Sequence, residues 1–176
     1  SNLSNSGIDR IQIYVKEKPR TLVSHIGTGR HYNINSKSGR LQILFTDSDQ
    51  RNNIYNTDIA SYYENMECIE EMHHPYVVIT PDYMVYTADF SKLIEQHIQS
   101  EADITLLYHA VDNAKDAYLN CNILNLNKQK GVISIEPNHG NAKNRNIFMD
   151  TYIMKKDLFI ELIRKAKAIS SAFTLA

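Results

Sequence analysis

The stretch Tyr76-Val77-Val78-Ile79-Thr80-Pro81-Asp82 decides the fold class. Its first four residues are aromatic or β-branched and run without a polar break. That pattern predicts a strand covered on both faces, at the centre of a parallel sheet. Pro75 closes the helical pattern before it, and Pro81-Asp82 favours a turn after it. Upstream, Ile59, Tyr62, Tyr63, Met66, Ile69 and Met72 recur at helical spacing with glutamates opposite, and Thr57 or Asp58 is placed to cap that helix. Downstream, Asp89 caps a second helix with the stripe Phe90, Leu93, Ile94, His97 and Ile98, and residues 104–108 form another buried strand. The alternation of strands and helices predicts an α/β layered fold with crossover connections.

The flanks extend this pattern. Ile11-Gln12-Ile13-Tyr14-Val15 and Leu41-Gln42-Ile43-Leu44-Phe45 read as strands, with a short helix from Pro19 to about Ile26 between them. Residues 29–39 and 47–56 are polar loops. After residue 108 the style changes. Ile123-Leu124-Asn125-Leu126 and Val132-Ile133-Ser134-Ile135 flank a turn holding Lys128, Gln129, Lys130 and Gly131, a β-hairpin signature. A polar loop over 137–146, a strand over 148–154 and an amphipathic helix capped by Asp157 complete the chain.

The 176 residues suffice for one domain or slightly more, and 43% hydrophobic content is that of a globular chain. A formal net charge of −1 gives no basis for a nucleic-acid or membrane surface. Arg164-Lys165-Ala166-Lys167 is the nearest thing to a basic cluster, and it sits at a helix end, where cations complement the dipole. No apolar run approaches the roughly 20 residues that cross a bilayer. Cys68 and Cys121, far apart, read as reduced, buried thiols of a cytoplasmic protein.

Few residues carry a chemical signal. Gly27-Thr28-Gly29 leaves a helix instead of entering one, so a helix C-cap is favoured over a phosphate loop. His73-His74 lacks partners at metal-site spacing and reads as loop. His25, His97 and His109 lie in periodic elements and are expected to be partly buried packing residues. Asp82 is better placed. It follows the central strand directly, where ligands of open α/β sheets bind, and a carboxylate there can hold Mg²⁺ against phosphates. The competing readings are a turn residue for Asp82 and a helix cap for Asp89.

Several segments resemble one family in order and spacing. Ser1-Asn2 through Asn5-Ser6-Gly7-Ile8, Leu22 with Ser24-His25-Ile26-Gly27 and Gly29, Tyr63-Glu64-Asn65, Tyr86 with Asp89-Phe90, Gly131-Val132-Ile133-Ser134 and Tyr152-Ile153-Met154 are similar to segments of glucose-1-phosphate adenylyltransferases. The resemblance covers essentially the whole chain. It implies a Rossmann-like nucleotidyltransferase fold, a mostly parallel mixed sheet flanked by helices. It also implies Mg²⁺-dependent joining of glucose 1-phosphate to ATP, giving ADP-glucose and pyrophosphate. By this comparison the chain is an interior piece, N-terminally truncated, without the glycine-rich loop and without the β-helix domain that follows in the family.

The departures shape the functional expectation. The family's glycine-aspartate-histidine metal triplet falls on Asp82, Tyr83 and Met84, which puts Tyr83 in the aspartate position; a one-residue shift puts Asp82 there instead. The nucleotide loop reads Thr57-Asp58-Ile59, without its glycine. The sugar-phosphate segment reads Glu136-Pro137-Asn138, without its lysine, and a glycine after Met149 is replaced by Asp150. Phosphate would meet carboxylates where it needs cations. The resemblance is therefore to the non-catalytic companion subunit of Gram-positive bacteria. It implies a catalytic paralogue as partner, ATP, ADP-glucose or a sugar phosphate as effector, Mg²⁺ as the family's cofactor but none bound to this piece, and Asp82 as the one metal candidate.

Overall fold

A computed structural model describes residues 3, 6–8, 10–15, 19–26, 41–45 and 58–169. The elements are β1 (Ile11–Val15), α1 (Pro19–Ile26), β2 (Leu41–Phe45), α2 (Asp58–Glu64), α3 (Met66–Glu70), β3 (Tyr76–Ile79), α4 (Phe90–Ser100), β4 (Ile104–Val111), β5 (Asn122–Leu126), β6 (Val132–Pro137), β7 (Arg145–Lys155) and α5 (Lys156–Ile169). Gly27, Thr28 and Gly29, Thr57 and both polar loops lie outside the described residues. The chain divides into two compact units.

The first unit holds residues 1–77, 87–103 and 155–176. β1 and β2 pair in parallel, Ile11 opposite Leu41 through Val15 opposite Phe45, as strands joined through a helix must when they run the same way. The helix expected over 58–72 is broken at Asn65, whose side-chain amide donates to the Ser61 carbonyl at 3.0 Å and so competes with the helical ladder. The apolar stripe survives the break: Ile59, Met66 and Ile69 are buried, and α2 and α3 pack on α5. Tyr14, Tyr62 and Phe159 form an edge-to-face chain with centroids 4.7 and 5.2 Å apart. The Lys156 ammonium donates to the Glu70 and Met72 carbonyls, which fastens the end of α3 to the start of α5. Helix α5 begins one residue before Asp157, so Asp157 lies in its first turn rather than at the cap. Asp89 caps α4 as expected, accepting from the Lys92 N–H at 3.3 Å. Ser6 reaches the same helix start: its hydroxyl accepts from the Phe90 N–H at 3.0 Å.

The second unit holds residues 78–86 and 104–154. The five-stranded sheet runs β3-β7-β5-β6, with β4 also paired to β7. The β4–β7, β5–β6 and β5–β7 registers are antiparallel, in contrast to the parallel β1–β2 pair of the other sheet. β3 stands at the end of this order and buries only Val77 fully, while β7 pairs with three strands and buries six residues. The centre is thus β7, not β3. The apolar run of β3 reflects half-burial on both faces, which a sequence pattern does not distinguish from full burial. β4 likewise buries no residue fully. The hairpin is as expected, with the Asn127 side chain accepting from the Gln129 and Gly131 N–H groups at 2.9 and 2.7 Å. Ala114, Ile123 and Ile147 form the core beside it, with half-buried Val111 and Cys121. Both cysteines are free and half-buried rather than fully buried.

Candidate functional site

Asp82 sits on the turn that leaves β3, and its side chain is exposed. Two hydroxyls bracket that turn. Thr80 Oγ1 and Tyr86 Oη lie 3.0 Å apart, and Tyr86 Oη lies 2.5 Å from Thr151 Oγ1. Thr151 is fully buried in β7 and also donates to the Met149 carbonyl at 2.9 Å. Both ends of the segment carrying Asp82 are therefore tied, through three hydroxyls, to one point on the central strand. Sequence reading assigned no role to Thr80 or Thr151, because isolated threonines in strands carry no pattern.

Asp150 occupies that same point. The β4–β7 register slips between the Leu106–Tyr152 and Tyr108–Phe148 pairs, so β7 bulges over residues 149–151 opposite Leu107. Asp150 takes φ +44° there, a left-handed conformation that favours glycine. Its Oδ1 is buried with no hydrogen-bond partner among the described residues. Burial holds its carboxyl above the usual carboxylate range. The backbone there has a conformation that favours glycine, yet it carries an acidic side chain.

The remaining expected positions are occupied differently. The Glu136 carboxylate is exposed on β6 and accepts from Asn125 Nδ2 at 2.8 Å and Ser134 Oγ at 2.7 Å. Pro137 ends β6 and is exposed. Asn138 is buried, and its amide donates to the Ala114, Ala117 and Tyr118 carbonyls at 2.8, 3.3 and 3.0 Å while its oxygen accepts from the Gly140 N–H at 3.1 Å. It staples two loops together, with both amide hydrogens engaged by backbone carbonyls. Ile123 is in register with both Glu136 and Ile147, which places Glu136 two strands across the sheet from the strand of Asp150. Asp58 and Ile59 open α2 in the first unit, Asp58 exposed and Ile59 buried. Tyr83 is 65% exposed. Of the histidines expected to pack, only His97 is buried; His25 and His109 are exposed because they fall on the solvent faces of α1 and β4. Among the described residues no three His, Cys, Asp or Glu side chains gather to hold a metal ion. A Mg²⁺ at Asp82 would need phosphate or water oxygens to complete its shell.

Helices with a parallel strand pair in one unit, and a five-stranded sheet with an acid on the turn after β3 in the other, make an α/β framework of the nucleotidyltransferase kind. A profile of the nucleotidyl transferase family matches residues 1–171, and the chain belongs to that family. It is 26% identical over 168 residues to the glucose-1-phosphate adenylyltransferase of Clostridioides difficile (strain 630), covering 95% of this chain and 43% of the relative. It is 30% identical over 154 residues to the enzyme of the same name from Clostridium perfringens (strain SM101), covering 87% of this chain and 39% of the relative. The chain thus spans about two fifths of the length of these relatives. HddC from Yersinia pseudotuberculosis, solved with GMP-PN, shares the fold with a TM-score of 0.72 at 14% identity, over 98% of this chain and 65% of that one. Among the described residues no helix is long and apolar enough to cross a membrane.

Proposed function

We propose that this chain is a regulatory or catalytically degenerate subunit of glucose-1-phosphate adenylyltransferase, acting in the cytoplasm beside a catalytic paralogue in glycogen synthesis. The observation that carries the reading is the exchange at Asp150. A strained left-handed backbone holds a carboxylate with a buried, unpaired oxygen on the strand that anchors the Asp82 turn. A phosphate approaching that bulge meets negative charge, and segment 136–138, two strands away, supplies another carboxylate and a buried structural asparagine instead of a cation. Similarity to glucose-1-phosphate adenylyltransferases supports the choice of partner enzyme.

The test is reconstitution. The full chain alone is expected to form ADP-glucose from ATP and glucose 1-phosphate far more slowly than a catalytic paralogue, and mixing the two is expected to raise turnover or shift activation. A normal rate from the chain alone would refute the proposal. The position of Asp82 after β3 favours a second reading, an active transferase that uses Asp82 to hold Mg²⁺. Under that reading Asp82→Asn abolishes activity of the chain alone.

A further inference from the structure

We draw no further inference here: the strongest candidate, the outer edge of β6 with its exposed Val132, Ile133 and Ile135 at the end of the five-stranded sheet, is an apolar edge for which nothing in the structure shows what covers it.

Discussion

Replacing Asp150 with glycine should stabilise the protein, which is unusual for a residue on a central strand. Two features of the wild-type position oppose folding. The left-handed backbone at φ +44° costs an L-residue about 1 kcal/mol, toward the low end because aspartate tolerates this region better than most. The buried, unpaired Oδ1 costs about 1–2 kcal/mol, again toward the low end because the residue is only half-buried. Glycine removes both but adds unfolded-state entropy of about 0.5–1 kcal/mol. The net expectation is a gain of about 1–2 kcal/mol, a rise of about 2–8 °C in thermal midpoint for a chain of this length. Asp150→Asn divides the effect, keeping the backbone strain and removing the charge. The folded carboxyl titrates above its ordinary value of 3.8, so its ionisation weighs on the folded state fully at neutral pH. That burden lifts as pH falls through the raised value and is gone below 3.8. The advantage of Asp150→Asn over wild type should therefore be largest near neutrality and vanish in acid. Calorimetry of the three proteins across pH decides. A lower midpoint for Asp150→Gly, or an advantage of Asp150→Asn that persists in acid, would refute the account of the bulge.

Two further outcomes follow from buried polar groups. Asn138→Ala removes the side-chain hydrogen bonds that join the two loops and takes the amide donor from the Ala114 and Ala117 carbonyls, while the Tyr118 carbonyl keeps the Cys121 N–H, so urea unfolding should show a loss of about 2–3 kcal/mol. His97 is buried with its ring edge-on to Tyr76 at 5.6 Å, and burial, helped by Lys155, holds its pKa below the ordinary 6.5. The unfolded chain takes up the proton first, so wild type should lose stability as pH falls below about 6.5, and His97→Phe should flatten that slope in denaturant midpoints.

Period and punctuation made much of the framework legible. Every strand and helix expected from sequence has a counterpart where the chain is described, and Asp89 caps its helix as its position before an apolar stripe demanded. What pattern could not convey was rank within the sheet. Residues 76–79 and 145–155 are both rich in apolar side chains, yet only the second is central, because centrality depends on pairings between residues far apart in sequence. The site was legible as a set of exchanged residues but not as a device. Asp150 stands out in sequence as an acid where the resemblance implies glycine; its meaning comes from a register slip opposite Leu107. Asn138 was marked by what it was not, and the structure gives it a positive role that belongs to packing.

Under the proposed degenerate role, that contrast bears on how a transferase framework could lose substrate contacts without losing its shape. The Thr80–Tyr86–Thr151 hydroxyl chain and the Asn138 staple each satisfy their polar groups internally, so neither depends on a bound ligand for its order. Asp150 is the opposite case: its geometry persists although the side chain there gains nothing from it. Strain retained without a local return must be held by the surrounding pairings, here β4 on both sides of the bulge. A frame over-determined in this way stays folded when its phosphate contacts are exchanged. It would still present its outer surfaces to a catalytic partner, which is the condition the proposed regulatory role requires.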